Sequence, residues 1–157
     1  MSQLAKTFAY DFAALTDRGR VRPQNEDSVA AFPEFGVWAV ADGMGGHEAG
    51  DVASRIITEE LASLGVPISA QDQRARVQER LDRAHQRIMA HSRESGLGGA
   101  GSTVAALLLH GGELACIWAG DSRIYLVREG GLTQLTRDHS EVAMMVSEPP
   151  SSTLRAA

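Results

Sequence analysis

Acidic residues gather in three short clusters, each at a point where the sequence pattern predicts a strand end or a turn. The clusters span residues 22–27, 41–47 and 119–123. Carboxylates at the ends of neighbouring strands can converge on one point, and Mg²⁺ and Mn²⁺ prefer oxygen ligands together with retained waters. The clusters therefore predict a divalent-cation site, although each, taken singly, is also an ordinary turn or loop sequence with a structural interpretation.

A glycine-rich stretch follows the aspartate of the second cluster. Gly43 lets the backbone approach a ligand closely enough to offer its carbonyl. Residues 43–46 also precede a predicted helix, where a phosphate could lie against the helix N-terminus. The stretch matches neither Gly-x-Gly-x-x-Gly nor a Walker loop with its lysine, so the sequence does not predict nucleotide binding.

Other reactive side chains show no comparable arrangement. Cys116, the single cysteine, lies in an apolar run that predicts a buried, inert thiol. His47 precedes a helix start, where a surface histidine is a simpler interpretation than a general acid. The arginine-dense segment 74–87 also carries acidic residues, which is typical of a solvated helix face rather than a phosphate site.

The composition sets limits on the class of protein. A chain of 157 residues with a net charge of −5 fits one globular domain and offers no basic surface for nucleic acid or an anionic membrane. The longest apolar run, residues 104–109, is too short to span a bilayer, and the first residues contain no signal-peptide pattern. We therefore expect a cytoplasmic protein without a membrane segment.

The elements that must position the clusters follow from periodicity. Two helical stripes are predicted, one ending near Gly65 and one starting at Ser69, whose partner Asp72 suggests a capping box. Strand patterns flank them at residues 8–15, 28–32, 37–41, 103–109, 114–119, 124–127 and 132–135. Consecutive short strands with tight turns favour antiparallel pairing, which predicts an α+β sandwich.

Four motifs in order give the sequence a specific family resemblance. They are Arg22-x-x-Asn25-Glu26-Asp27, Val40-Ala41-Asp42-Gly43-Met44-Gly45-Gly46-His47, Gly101-Ser102-Thr103 and Gly120-Asp121-Ser122-Arg123. Over residues 12–146 the chain resembles bacterial PPM-type (type-2C) serine/threonine protein phosphatases. Segments 38–47 and 118–123 look most similar to members that accompany type VI secretion clusters.

The resemblance implies an α-β-β-α sandwich of antiparallel sheets flanked by helices, with two Mn²⁺ or Mg²⁺ ions at one end. Asp42 would bridge the two metals, and the Gly43 carbonyl would bind one of them. Glu26 and Asp27 would hold metal-bound waters. Such a site hydrolyses phosphoserine and phosphothreonine on proteins, so the implied partner is a phosphorylated protein substrate of a bacterial Ser/Thr kinase.

Two further roles and one departure follow from the same resemblance. Arg22 would bind the substrate phosphate, and Asp121 would help to hold a third, weaker metal. Met44 stands where eukaryotic members carry a histidine proposed to protonate the leaving group, and bacterial relatives share the methionine. A metal-bound water is then the expected acid.

The family's Ser-Asp-Gly and late Asp-Asn motifs, each of which provides a metal-binding aspartate, do not occur in this sequence. We therefore expect residues 8–146 to form a partial phosphatase domain that is incomplete at its C-terminal end, with an exposed sheet edge. Residues 147–157 are predicted to be a disordered tail. An alternative hypothesis is a truncated, catalytically impaired homologue that acts as a binding or regulatory module.

Overall fold

An antiparallel sheet of six strands forms the centre of the molecule. The computed structural model describes residues 9–45, 49–96 and 99–139, together with the backbone of a strand at 153–155. The elements are β1 (Asp27–Phe32), β2 (Val37–Met44), α1 (Ala49–Ala62), α2 (Ala70–Glu94), β3 (Gly101–Ser102), β4 (Val104–His110), β5 (Glu113–Ala119), β6 (Tyr125–Arg128), β7 (Gly131–Gln134) and β8 (Thr153–Arg155).

The strand order of the central sheet is β1-β2-β4-β5-β8, and β3 pairs with the far end of β2. Strands β1 and β2 form a hairpin whose connection is a 3-10 turn at Pro33–Phe35. Gly36 closes that turn with a left-handed φ of 65°, a conformation that glycine adopts without a steric cost. The hairpin register places Val29 opposite Val40 and Asp27 opposite Asp42.

Side chains of β2 alternate between two environments. Val37, Ala39 and Ala41 are buried, whereas Val40 and Asp42 are exposed. The buried side contacts the helices, and α1 packs on both β1 and β2. Small alanine side chains on this face let the helix lie close to the sheet. The same alternation turns the carboxylate at position 42 away from the core.

The two helices follow the predicted pattern closely. The hydroxyl of Ser69 accepts a hydrogen bond from the backbone amide of Asp72 at 3.0 Å and so caps α2. Val77, Ala84 and Ile88 form its buried stripe and Ile56, Ile57 and Leu61 that of α1. No helix among residues 9–45, 49–96 and 99–139 is long and apolar enough to cross a membrane.

Arginines of α2 contact α1 rather than forming a purely solvated face. Arg76 donates to the carbonyl of Leu64 at 3.2 Å, and Arg80 donates to that of Ser63 at 3.3 Å. These carbonyls belong to the two residues that follow Ala62, the last residue of α1. The arginines therefore bind the segment after α1 to α2.

The opposite face of the sheet is only partly covered. Strands β6 and β7 form a separate two-stranded hairpin, and Tyr125 at its start lines an apolar groove together with Trp38 and Leu107. The predicted α+β class with antiparallel sheets is confirmed. In the described part of the chain, helices cover one face only, so a second helical layer is not among those residues.

One detail differs from the sequence-based expectation, and the ends of the predicted domain are only partly described. A strand was predicted at 8–15, but residues 9–15 form none, and Tyr10 and Phe12 instead place their rings edge-on against Trp38. A strand requires a partner for its backbone, and this segment pairs with no strand of the described sheet. Of the expected disordered tail, 147–157, the structure describes only β8, which pairs with the edge of β5, and the prediction for the other residues of that segment stays a prediction. Phe8 and residues 140–146, the ends of the predicted domain, lie outside the described residues.

Candidate metal centre

The hairpin of β1 and β2 brings two carboxylates together. Asp27 begins β1, and its register partner Asp42 lies near the end of β2 on the face away from the helices. Both residues are exposed. Like charges placed directly opposite each other on neighbouring strands destabilise the pair unless something compensates for them.

A third carboxylate and one cation complete this cluster. Partial burial of its carboxylate raises the pKa of Asp42, the charge and hydrogen bond of Asp27 and the charge of Asp121 raise it further, and the charge of Arg22 lowers it. Asp121 lies on the turn that follows β5, far from the hairpin in sequence. The fold therefore brings residues from all three predicted acidic clusters to one end of the sheet.

The backbone around Asp42 is held by the segment at β3. The hydroxyl of Thr103 accepts a hydrogen bond from the Asp42 amide at 3.2 Å, and the Thr103 amide donates to the Asp42 carbonyl at 2.9 Å. Ser102 donates from its hydroxyl to the same carbonyl at 3.1 Å. Thr103 also exchanges a 2.5 Å hydroxyl hydrogen bond with Ser122, the neighbour of Asp121. One threonine thus links the two strand ends that carry the carboxylates.

Glu26 lies beside the first turn of α1. Its side chain is 16% exposed and forms an ion pair of 3.1 Å with Arg22, which is 72% exposed. A Cβ atom added to Gly50, in the first turn of α1, would lie 2.7 Å from a carboxylate oxygen of Glu26. The N-terminal end of a helix carries partial positive charge, so this position favours a carboxylate.

Packing requires a glycine at position 43. A Cβ atom at this position would collide with the carbonyl oxygen of Gly50 and would lie 2.7 Å from the carbonyl oxygen of Glu26. The Gly43 amide donates to that Glu26 carbonyl at 3.1 Å. β2, α1 and the residue before β1 therefore meet here without room for a side chain.

The donor atoms of the cluster are of the type that a hard divalent cation prefers, but the side chains that provide them are too few to surround one. Every candidate donor is a carboxylate or carbonyl oxygen, which Mg²⁺ and Mn²⁺ prefer. In the part of the chain that the structure describes, no group of three or more His, Cys, Asp or Glu side chains is arranged to hold a metal ion. Asp42, its register partner Asp27 and the turn residue Asp121 provide oxygen donors of this kind at one end of the sheet.

The structure adds neither Met44 nor Cys116 nor Asp138 to the cluster. Met44 is 54% exposed at the end of β2, and His47 lies outside the described residues. Cys116 is buried, and burial raises the pKa of its thiol, in agreement with an inert role. Asp138 is engaged by Arg123 at 2.6 Å, so it is not free to complete a metal site.

Sequence reasoning missed three contributors to this centre. Gly50 appears only as one small residue at a helix start, and its close approach to Gly43 depends on tertiary packing. The hydroxyl link between Thr103 and Ser122 joins segments about twenty residues apart. Thr103 and Ser122 belong to recognisable motifs, Gly101-Ser102-Thr103 and Gly120-Asp121-Ser122-Arg123. These motifs were the one indication in the sequence that the two residues contribute to the centre.

Comparison with known proteins defines the class. A model of the family described as protein phosphatase 2C matches residues 14–142. The chain belongs to the protein phosphatase 2C family, and the resemblance noted from its motifs is confirmed.

Individual relatives agree with this assignment. The chain is 41% identical over 143 residues to the serine/threonine protein phosphatase PstP of Mycobacterium tuberculosis, covering 90% of this chain and 27% of that protein. It is 36% identical over 135 residues to the serine/threonine phosphatase stp of Listeria monocytogenes, covering 81% of this chain and 54% of that protein. The chain therefore spans between a quarter and about half of the curated relatives' lengths.

Solved structures show the same fold. PppA, described as a key regulatory component of T6SS in Pseudomonas aeruginosa, superposes with a TM-score of 0.84 at 33% identity, over 92% of this chain and 71% of that one. A PstP structure from M. tuberculosis gives a TM-score of 0.77 at 42% identity, over 85% of this chain and 57% of that one. A PstP catalytic-domain structure is described as a complex with two manganese ions.

Proposed function

We propose that this chain supplies the Asp42-centred part of a site for metal-dependent hydrolysis of phosphoserine and phosphothreonine on proteins. The observation that carries the proposal is the convergence of Asp27, Asp42 and Asp121 at one end of the sheet, with Arg22 beside them. Membership of the protein phosphatase 2C family and relatives named as serine/threonine phosphatases support it.

The residues of the cluster have distinct proposed roles. Asp42 and the Gly43 carbonyl would hold Mn²⁺ or Mg²⁺, two ions in a complete site, and Asp121 would serve a third, weaker position. Glu26 and Asp27 would orient water within the cluster. Bound divalent cations of this kind activate water near neutral pH and offset the charge of phosphoryl oxygens.

Arg22 is the proposed phosphate-binding residue. Its guanidinium can present two parallel donors to one phosphate, a geometry that lysine lacks. The side chain is largely exposed and already lies within ion-pair distance of Glu26. A phosphate bound there would stand next to the carboxylate cluster.

The proposed partner is a phosphorylated protein, the product of a bacterial Ser/Thr kinase. The similarity to PppA, described as a T6SS component, supports an association with type VI secretion. We also propose a cytoplasmic location, where such substrates are made.

The incomplete donor set favours a second candidate function. In the described part of the chain, no three suitable side chains surround a metal position. A catalytically impaired homologue that binds metal weakly and acts as a binding or regulatory module would not need a complete set of metal ligands. Hydrolysis of para-nitrophenyl phosphate with Mn²⁺ separates the two: we expect the 157-residue chain alone to be near background, and robust turnover that depends on Asp42 would exclude the impaired homologue.

Metal binding tests the proposed site directly. Calorimetric titration with Mn²⁺ should show weak binding, since few fixed carboxylate ligands are present, and Asp42→Asn should abolish it. Asp82→Asn, which removes a carboxylate from α2, is the matched control and should bind as the wild type does. Tight binding that survives Asp42→Asn would place the site elsewhere.

The fold of the Asp42→Asn variant can be checked in the same samples. Because the pKa of Asp42 is raised, its ionised form is disfavoured in the folded chain, so removing the charge should not lower the melting temperature at neutral pH without metal. Loss of Mn²⁺ binding with an unchanged melting temperature would then show that the substitution affects the metal site and not the fold.

A further inference from the structure

Residues 135–139, called here the strap, lie along the turn that carries Asp121. The strap begins as a continuation of the β6–β7 hairpin: the Leu135 amide donates to the carbonyl of Ile124 at 2.8 Å, and the Ile124 amide donates to the hydroxyl of Thr136 at 3.0 Å. Thr136 is 4% exposed. The strap is thereby fixed on the chain segment that follows the Asp121 turn.

A two-point ion pair joins the strap to this turn. Asp138 accepts from Nε of Arg123 at 2.8 Å through one carboxylate oxygen and from Nη2 at 2.6 Å through the other. Nη1 of Arg123 donates to the hydroxyl of Tyr125 at 3.2 Å. Such a fork fixes direction as well as distance, because both atoms of the carboxylate are engaged. Arg123 is only two residues after Asp121, so its orientation constrains the turn.

The end of the strap closes over the other side of the turn. The His139 amide donates to the carbonyl of Gly120 at 2.8 Å, and the Gly120 amide donates to Nδ1 of His139 at 3.4 Å. The His139 ring stacks on Trp118 with centroids 5.8 Å apart, and the Trp118 indole donates to the carbonyl of Arg137 at 2.7 Å. The strap therefore contacts residues on both sides of Asp121.

The inner side of the turn is held by a rigid neighbour. Ser122 shares its hydroxyl hydrogen bond with Thr103. A Cβ atom at Gly120, whose φ is 99°, would lie 2.6 Å from a methyl group of Thr103. Asp121 is thus carried by a turn clamped between Thr103, which also binds the Asp42 backbone, and the strap.

We propose that Asp138, through its fork with Arg123, is a positioning residue that orients Asp121 for cation binding beside Asp42. The inference rests on the proposed function, because it assigns Asp121 to a cation position. Asp138 itself would not bind the cation, since both of its oxygens are engaged by Arg123. It would act as an outer partner of a ligand, a class of residue whose loss typically weakens metal affinity.

A titration of the ¹⁵N-labelled chain with Mg²⁺, followed amide by amide in ¹H–¹⁵N NMR spectra, tests this proposal. In Asp138→Asn the midpoint at the Gly120, Asp121 and Ser122 amides should rise about tenfold, while the midpoint at the Asp42 and Gly43 amides stays within about twofold. Asp138→Glu, which keeps a carboxylate for the fork, should restore most of the affinity.

Glu113→Gln provides the matched control, because it removes the ion pair of 3.5 Å between Arg74 and Glu113 on α2 and β5. It should leave both midpoints unchanged. An unchanged midpoint at the Asp121 turn in Asp138→Asn would overturn the inference, and so would an equal loss at Asp42, which would indicate a general structural effect. Absence of any Mg²⁺ response in the wild-type chain would instead refute the proposed cation site, and this inference with it.

Discussion

Arg22 stands at the rim of the carboxylate cluster, with most of its side chain in solvent. Its ion pair with Glu26 is exposed on the arginine side, and exposed pairs of this kind contribute little to stability. The arginine therefore has little structural reason to be at this position. Its charge nevertheless lowers the pKa of Asp42, so the two side chains are close enough to interact.

Arg22→Ala should weaken binding of inorganic phosphate to the Mn²⁺-loaded chain by about tenfold, because a hydrogen-bonded charged group contributes about 1.5–3 kcal/mol. Arg22→Lys should recover part of the loss, since it keeps the charge without the fork. Arg20→Ala, an equal change of charge two residues away, is the control. Phosphate affinity can be measured by isothermal titration, and equal losses in Arg20→Ala and Arg22→Ala would contradict a specific role.

Residue identities in the site were predictable to different extents. Asp27 and Asp42 were marked by acidic clusters at strand ends, and antiparallel pairing placed them opposite each other. The role of Gly50 was not predictable, because it depends on how closely α1 approaches β2. Contacts that arise from packing between distant segments leave no periodic trace in a single sequence.

Among the elements, the start of α2 shows how local sequence fixes a helix end. Asp72 accepts from the Ile68 amide at 2.9 Å and pairs with Arg76 at 2.9 Å, while its own amide donates to Ser69. The bond to Arg76, followed by that to the Ile68 amide, lowers the pKa of Asp72 below its ordinary 3.8. The ionised carboxylate is therefore favoured by folding.

This pKa predicts the pH dependence of Asp72→Asn. A carboxylate with a lowered pKa stabilises the folded chain above its unfolded value, and the contribution is lost as pH falls through the folded value. The variant should melt at a lower temperature than the wild type at pH 7, and the difference should shrink as the pH falls below the ordinary carboxylate pKa of 3.8. Asp82→Asn, on the same helix, serves as the control in thermal melts across this range. A difference that persists at low pH would show that the charge is not responsible.

Contacts of α2 with α1 explain why the sequence alone did not show the role of the arginines in segment 74–87. Arg87 pairs with Glu59 at 2.8 Å and with the nearly buried Glu60 at 2.9 Å, and Arg83 reaches Glu60 at 3.3 Å. A partner one helix away cannot be read from spacing within a helix. The helices themselves were predictable because their caps and apolar stripes are local, whereas the strand expected at 8–15 required a partner.

At the scale of the whole molecule, apolar surface remains uncovered on the face opposite the helices. Val29 is 36% and Val40 43% exposed on the sheet, and Val127 is 71% and Leu132 68% exposed on the β6–β7 hairpin. A two-stranded hairpin is marginally stable by itself. The chain should therefore be only modestly stable, and its exposed strands should favour pairing with another chain.

Sedimentation velocity at increasing protein concentration should detect this self-association. Leu132→Lys should reduce it, because a charge on an exposed strand opposes pairing between edges. Val66→Lys is the matched control, since Val66 is also 68% exposed but lies in the loop between the helices. A wild-type chain that stays monomeric at all concentrations, or equal effects of the two substitutions, would contradict the proposed role of this surface.

The register of β1 against β2 has a consequence for how the chain can misfold. Side chains alternate between the faces of a strand, so a slip by one residue would turn Asp27 toward α1 and bring Ser28 to the outer face. The same slip would remove Ala30 from beneath the helix, where it is 4% exposed. A mispaired hairpin would therefore lose its helix packing and its paired carboxylates in one step. The packing that buries Ala30 therefore also favours the register that places the two carboxylates opposite each other.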